Sequence, residues 1–246
     1  MELKIKSLDL CIEDGKITGI YDDKIFIDTI NKPVKHNIYI DDDFYSKYDV
    51  SKIAIIDEEK PFYTSKVLDE ILFNAKIRNY KTKNIQQEID ELLKRLNMDN
   101  KILNRITNCL SMTEKYFIKV ISNLIYKPQV VIFKNITSEL DRNNSKIITS
   151  LINYLKEKGN IVIITSMDSN VLYNLSDDII IFKNNKVVIK GNTNEVYTDV
   201  ETLMEKEVDI PCFSMLTYKA NKEYDAHLFY RKDVRDVIKD VYKSVS

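Results

Sequence analysis

The pattern of hydrophobic and polar positions alternates along the chain: short runs typical of β-strands are followed by longer stretches with helical spacing. Nearly continuous runs of Ile and Val predict strands that are buried on both faces. These predicted strands are Lys16–Tyr21, Asn37–Asp41, Lys52–Asp57, Gln129–Lys134, Asn160–Thr165, Asp178–Lys183 and Lys186–Gly191. Helical spacing predicts helices at Val67–Tyr80, Ile85–Leu96, Glu114–Ile125, Ser145–Lys158 and Asn170–Leu175. Strands that alternate with helices predict an α/β fold with a parallel or mixed sheet covered by helices.

The order of these elements also predicts the domain organisation. A helical insert, about residues 69–125, separates two blocks of strands, so we expect a core domain that carries a helical subdomain. After Gly191 the pattern weakens. We therefore expect a main domain over residues 1–197 and a small C-terminal appendage over residues 198–246.

Composition narrows the classes of function. The chain has 37 basic and 38 acidic side chains and a formal charge of -1, which disfavours a nucleic-acid binder. No segment reaches the roughly 18 apolar residues of a membrane span, and the amino terminus lacks a signal-peptide core, so we expect a cytoplasmic protein. The three cysteines are isolated in sequence and predict neither a disulfide nor a zinc site.

Glycine usage excludes a standard phosphate-binding loop. The chain has only four glycines, and no two of them lie close enough together to open a loop around a phosphate. Between the predicted strand that ends at Tyr21 and the run IFIDTI, the sequence offers only Asp22, Asp23 and Lys24. That stretch is short, lacks glycine and carries two acids.

One long stretch matches a known family pattern. Leu110 to Asp141 reads LSMTEKYFIKVISNLIYKPQVVIFKNITSELD. It resembles, without insertion or deletion, the segment of ATP-binding-cassette (ABC) ATPases that runs from the LSGGQ signature through the catalytic strand to the D-loop. Lys52–Phe73 is similar to the family's Q-loop region, and Leu203–Ile238 is similar to the C-terminal element of energy-coupling-factor ATPases. The resemblance implies a P-loop NTPase-like ABC core with a helical subdomain and a small C-terminal appendage.

The positions that carry catalysis in this family hold other residues here. Lys134 and Asn135 stand where the resemblance places the magnesium-binding Asp and the catalytic Glu, and Ser166 stands at the switch histidine. The Q-loop glutamine falls near Glu58. A lysine repels a metal ion, and a neutral amide cannot accept a proton from water. We therefore expect no catalytic residue, no metal ligand and no ATP hydrolysis in the site built on this chain.

Three residues remain as candidates for nucleotide binding, each with a second interpretation. The resemblance implies a dimer that holds ATP between its subunits, so Ser111 and Asp141 could face a partner's ATP. Ser111 could equally form a capping box with Glu114, and Asp141 could cap the next helix. Lys24 is either a remnant of the phosphate-binding lysine or an exposed lysine of a turn.

The resemblance implies a degenerate, non-hydrolysing subunit of an energy-coupling-factor-like uptake transporter. Its expected partners are a second ABC ATPase, in a heterodimer or a homodimer, and a transmembrane coupling protein that docks near the Val67 helix. ATP and Mg²⁺ would be bound through the partner subunit, residues 198–246 would be a dimerisation element, and the protein would lie on the inner face of the membrane. The alternative hypothesis is a nucleotide-free scaffold or regulatory protein that retains the ABC fold.

Overall fold

The structure is a computed structural model that describes residues 1–46, 49, 51–136, 141–232 and 234–245. Its strands are β1 (Glu2–Ile5), β2 (Leu10–Glu13), β3 (Ile17–Tyr21), β4 (Ile38–Ile40), β5 (Asp43–Phe44), β6 (Ile53–Ile56), β7 (Val130–Phe133), β8 (Ile161–Ser166), β9 (Asp178–Lys183) and β10 (Lys186–Asn192). Its helices are α1 (Lys24–Ile30), α2 (Pro33–His36), α3 (Val67–Ile77), α4 (Ile85–Arg95), α5 (Met112–Leu124), α6 (Arg142–Glu157), α7 (Ser169–Leu175), α8 (Thr193–Thr198), α9 (Val200–Glu205), α10 (Cys212–Tyr224) and α11 (Val234–Val245).

The strands form two sheets. The central sheet has the order β10-β9-β3-β8-β7-β6, in which β9, β3, β8, β7 and β6 are parallel and β10 is an antiparallel edge strand. A smaller antiparallel sheet has the order β2-β1-β4-β5. Parallel pairing brings the carboxyl ends of the central strands to one edge, where α/β proteins place their ligand sites.

The central sheet separates two hydrophobic clusters. Within β7, Val131 and Phe133 belong to the cluster beneath the helices, whereas Val130 and Ile132 belong to the cluster shared with the small sheet and α1. Successive strand residues point to opposite faces, and all four of these side chains are fully buried. Burying each such side chain stabilises the fold by roughly 1.5–3 kcal/mol.

The predicted mixed α/β fold is confirmed. All seven predicted strands and five predicted helices are present, with ends that differ by at most three residues. The sequence pattern did not predict β1, β2, β5, α1 or α2. In α1, the spacing of the buried residues Phe26, Thr29 and Ile30 is helical, but the helix is only seven residues long.

The residues that follow β10 still contribute side chains to the hydrophobic core. Tyr197 and Leu203 are fully buried, Val208 is 7% exposed, and all three belong to the hydrophobic cluster beneath the helices. Residues up to Val208 therefore contribute to the main core, although the predicted appendage begins at residue 198. No helix within the described ranges is both long enough and apolar enough to cross a membrane.

Candidate functional site

The carboxyl ends of β3, β8, β7 and β6 lie side by side at one edge of the central sheet, which we call the strand-end edge. Tyr21 at the end of β3 pairs in register with Ser166 at the end of β8. Lys134 and Asn135 directly follow β7 at the same edge. The structure thus brings together the three positions at which the sequence predicts lost catalytic groups.

The turn between β3 and α1 contains only Asp22 and Asp23. The Thr165 hydroxyl donates a hydrogen bond to Asp23 Oδ2 at 2.6 Å, and its oxygen accepts the Asn135 backbone N–H at 3.0 Å. This chain of hydrogen bonds joins the ends of three strands through an acid. Lys24 begins α1 with an exposed side chain that has no partner in the part of the chain that the structure describes. Two residues, both acidic, leave no backbone cradle for a phosphate.

Lys134 forms ion pairs with acids that follow the neighbouring strand. Its Nζ lies 3.1 Å from Asp57 Oδ2 and 3.3 Å from Glu59 Oε2. Burial lowers the pKa of Lys134, but hydrogen bonds and charges from these two carboxylates outweigh it and raise the pKa above its ordinary value. The ammonium group is therefore charged and paired with acids, at the position where the resemblance implies a magnesium-binding Asp.

Asn135 and Ser166 serve local structure. Asn135 has a φ of 51°, in the left-handed region that Asn tolerates, and it is held by its backbone N–H to Thr165. Ser166 is 5% exposed, and its hydroxyl oxygen accepts the Asp168 backbone N–H at 3.0 Å in the turn that leads to α7. Neither side chain supplies a group that could activate water near neutral pH.

The charge of the strand-end edge does not suit a magnesium–triphosphate group. Asp22, Asp23, Asp57 and Glu59 follow the strands at this edge, and the half-buried Lys134 is already paired with two of these acids. Carboxylates repel a phosphate because both are negatively charged, and this repulsion is strong where solvent is partly excluded. Among the described residues, no group of three His, Cys, Asp or Glu side chains could hold a metal ion. The residues present do not fit a nucleotide bound at this edge.

Ser111 forms the predicted capping box at the start of α5. Its hydroxyl oxygen accepts the Glu114 backbone N–H at 3.3 Å, and Glu114 Oε2 accepts the Ser111 backbone N–H at 2.8 Å. Arg105 also donates to the Glu114 carboxylate. The hydrogen bond from the Ser111 backbone, followed by smaller contributions from its side chain and Arg105, lowers the pKa of Glu114 despite partial burial. The cap is confirmed, and contact with a partner's ATP stays a prediction.

Asp141 caps the next helix. Its Oδ1 accepts backbone N–H groups from Asn143 at 2.9 Å and Asn144 at 3.0 Å at the start of α6. The side chain is also exposed, so capping does not exclude a partner contact. The rest of the predicted D-loop, residues 137–140, lies outside the described residues.

Buried and charged side chains that the sequence pattern did not predict organise the segment Asp57–Thr64, which joins β6 to the helical subdomain. Glu70 is 3% exposed and accepts the backbone N–H groups of Tyr63 at 2.9 Å and Thr64 at 2.8 Å. Lys119 on α5 donates to the backbone carbonyl of Glu58. An acid on the inward face of α3 was the available signal, because a buried carboxylate requires hydrogen-bond partners.

A cavity and an exposed apolar patch lie beside this segment. The cavity, of about 280 Å³, is lined by the segment, α3, α5 and the α1–α2 connection. Next to it, the rings of Tyr63 and Phe73 lie 5.5 Å apart, and Tyr63 is 65% exposed. Ile77, one turn further along α3, is 51% exposed. Tyr63, Phe73 and Ile77 together form what we call the α3 patch.

Comparisons with known proteins identify relatives of the chain in sequence and in structure. The energy-coupling factor transporter ATP-binding protein EcfA2 of Clostridium perfringens is 25% identical over 247 residues, which cover 94% of this chain and 86% of the relative. The structure of cbiO1 from Clostridium perfringens, part of the ABC transporter complex cbiONQ, matches with a TM-score of 0.68 at 22% identity, over 88% of this chain and 98% of that one. A dimeric structure of a bacterial ABC transporter cassette matches with a TM-score of 0.66 at 18% identity, over 78% and 98%. No protein-family model matches the chain.

These comparisons confirm the resemblance predicted from the sequence. The curated relatives share sequence similarity along nearly the whole chain, and the solved structures share its fold. The chain has the fold of an ABC ATPase cassette and is similar in sequence to energy-coupling factor ATP-binding proteins.

Proposed function

We propose that this chain, an ABC ATPase cassette by its fold, is a non-hydrolysing subunit of an energy-coupling-factor-like uptake transporter. The observation that carries the proposal is the ion pair of Lys134 with Asp57 at 3.1 Å, at the position of a metal-binding acid. Asn135 and Ser166 support it further, because neither side chain can replace the catalytic Glu or the switch histidine that the resemblance implies at these positions. Length and sequence similarity along the chain support a role within the same kind of complex.

The proposed complex pairs this chain with a second, competent ABC ATPase. That partner would supply the phosphate loop and bind Mg²⁺ and ATP, and this chain would cover the nucleotide with Ser111 and Asp141. Both side chains are exposed, and Ser111 stands at the start of α5, where the positive end of the helix dipole favours anions. A heterodimer follows from the missing phosphate cradle, because a homodimer would leave both nucleotide sites incomplete.

The α3 patch is the proposed docking surface for a transmembrane coupling protein. Tyr63, Phe73 and Ile77 expose apolar area beside a cavity, which is the arrangement that accepts an amphipathic segment of a partner. Docking through this patch would place the chain as a peripheral subunit on the cytoplasmic face of a membrane.

Co-purification from native membranes, followed by ATP hydrolysis assays on the chain alone and on the complex, tests the proposal. We expect the complex to contain an ABC ATPase and a multi-span membrane protein, and to hydrolyse ATP in the presence of Mg²⁺. The chain alone should release phosphate at the background rate, and magnesium-dependent turnover by the isolated chain would contradict the proposal.

A pair of variants tests the docking surface. Ile77→Asp places a charge in the α3 patch and should abolish co-purification of the membrane protein. Phe44→Asp on β5 is the matched control, because Phe44 is also an exposed apolar side chain, at 42% against 51% for Ile77, but lies on the small sheet. Equal loss of the membrane protein in both variants would assign the effect to surface charge rather than to docking.

The alternative is a nucleotide-free scaffold or regulatory protein. The acidic β3–α1 turn supports it, because Asp22 and Asp23 oppose a triphosphate bound to this chain and a scaffold needs no nucleotide. Recovery of soluble proteins without a multi-span membrane protein would support this alternative.

A further inference from the structure

The segment Asp57–Thr64 is the first connection between the central sheet and the helical subdomain, and side chains hold it at both ends. At the sheet end, Lys134 Nζ contacts Asp57 Oδ2 at 3.1 Å and Glu59 Oε2 at 3.3 Å. The Glu59 backbone N–H donates to Asp57 Oδ1 at 3.1 Å, so the same acid orders the turn that follows β6. A single lysine of β7's end thus fixes the start of the segment.

The helical subdomain holds the middle and the far end. Lys119 of α5 donates to the Glu58 carbonyl and lies 5.5 Å over the Phe62 ring. Glu70 of α3 accepts the backbone N–H groups of Tyr63 and Thr64 and the Thr64 hydroxyl, the last at 3.1 Å. These contacts come from two helices and one strand end, so the segment is anchored to both parts of the molecule.

Burial identifies Asp57 as the stronger partner of Lys134. The side chains of Lys134 and Asp57 are 18% and 10% exposed, whereas that of Glu59 is 71% exposed. A shielded, hydrogen-bonded ion pair is worth more than an exposed one, which solvent and salt screen. The Lys134–Asp57 pair therefore carries the anchoring at the sheet end.

We propose that Lys134 and Lys119 are positioning residues that fix the Asp57–Thr64 segment, and with it the α3 patch, in one conformation whether or not nucleotide is present. The link to docking rests on the function proposed above. Tyr63 connects the segment to the α3 patch, because its backbone N–H donates to Glu70 and its ring packs on Phe73 in the patch. The subunit would then present a constant docking surface while its partner responds to ATP.

Hydrogen–deuterium exchange on the isolated chain tests the positioning role without a docking partner. Asp57→Asn keeps the side-chain oxygen that accepts the Glu59 N–H but removes the charge, and we expect exchange in peptides covering residues 57–65 to rise roughly tenfold. Glu59→Gln, the matched variant at the exposed acid, should change exchange by less than about twofold. Equal rates in Asp57→Asn and the wild type would overturn the proposal.

Three further measurements distinguish local opening of the segment from other effects. Lys134→Arg should retain slow exchange because it keeps a donor and a charge, whereas Lys134→Met should lose it; Lys94→Met, on the exposed face of α4, controls for loss of a lysine. Circular dichroism on each variant separates local opening from global unfolding. Addition of Mg²⁺ and ATP to the purified complex, in which the partner binds the nucleotide, should leave exchange in the segment unchanged, and faster or slower exchange would overturn the proposed nucleotide independence.

The docking link has its own readout. In the purified complex, Lys134→Met should reduce the yield of the membrane protein relative to Lys94→Met. If Lys134→Met shows fast exchange in the segment but recovers as much membrane protein as Lys94→Met, the link to the α3 patch is overturned and the anchoring of the segment still holds. Absence of any membrane protein from the wild-type preparation would instead count against the proposed function.

Discussion

Asn135 shows how one residue fits the strand-end edge without catalysis. Its φ of 51° lies in the left-handed region, where Asn and Gly are tolerated and a longer side chain such as Glu is strained. Its backbone N–H is bound to the Thr165 hydroxyl, which in turn donates to Asp23. The backbone there is shaped for a turn, and a catalytic Glu would have to adopt the same conformation.

Restoring the missing acids should therefore destabilise the protein without creating an ATPase. Asn135→Glu should lower the free energy of unfolding by about 1 kcal/mol through backbone strain, whereas Asn135→Gly should be nearly neutral. Lys134→Asp in addition places a second acid against Asp57, and the double variant should lose about 2–4 kcal/mol. Urea unfolding measures the stability, and a phosphate-release assay measures turnover. Magnesium-dependent hydrolysis by the double variant would contradict this expectation.

Elements whose pattern is set by the core were predictable, and elements set by distant contacts were not. The apolar runs of β7 and β8 appear where the sequence placed them, because a strand buried on both faces has little freedom in composition. In α1 five of the seven residues of KIFIDTI are β-branched or aromatic, so the segment resembles a strand locally. Packing of Phe26 and Ile30 in the cluster shared with the central sheet favours the helix instead. The absence of the two acids could be predicted from the sequence. The pairing of Lys134 with Asp57 could not, because the two residues lie 77 positions apart in the chain.

The capping box of α5 makes a prediction at the level of one helix. Ser111→Ala should lower the free energy of unfolding by about 1 kcal/mol, because it removes the acceptor for the Glu114 N–H. Ser150→Ala, an exposed serine within α6, is the control and should change stability by less than about 0.5 kcal/mol. A loss equal to that of the control would show that the cap contributes nothing.

The same cap predicts a dependence on pH. The pKa of Glu114 is lowered in the folded protein, chiefly by the hydrogen bond from the Ser111 backbone. Its carboxylate therefore stabilises the fold fully at pH values above the ordinary Glu pKa of 4.5. That contribution should disappear as pH falls through the lower folded pKa. Urea unfolding at several acid pH values should show a steeper loss of stability for the wild type than for Glu114→Gln. Parallel curves would exclude this role of the carboxylate.

At the scale of the whole molecule, the C-terminal part divides into a section that completes the core and a section that lies on it. Val200, Leu203 and Val208 are 1%, 0% and 7% exposed, and Leu203 and Val208 belong to the hydrophobic cluster beneath the helices. In α11, by contrast, Val237 is 4% exposed while Ile238 is 48% exposed and Tyr242 is 75% exposed. The exposed apolar side of α11 is the part best suited to the proposed dimerisation element.

Two truncations separate these roles. Among the described residues, removal of residues 198–246 takes away five buried apolar side chains, Val200, Leu203, Val208, Leu228 and Val237. Each is worth roughly 1.5–3 kcal/mol, and together they are a large share of the 5–15 kcal/mol that stabilises a typical domain. That shortened chain should lose cooperative thermal unfolding, whereas removal of residues 233–246 should lower the melting temperature by only a few degrees. Light scattering with the partner ATPase should then show weaker association for the chain that lacks α11, because its exposed apolar side is gone. A chain of residues 1–197 that melts at the full-length temperature would place the domain boundary at residue 198 and exclude Val200, Leu203 and Val208 from the stabilising core.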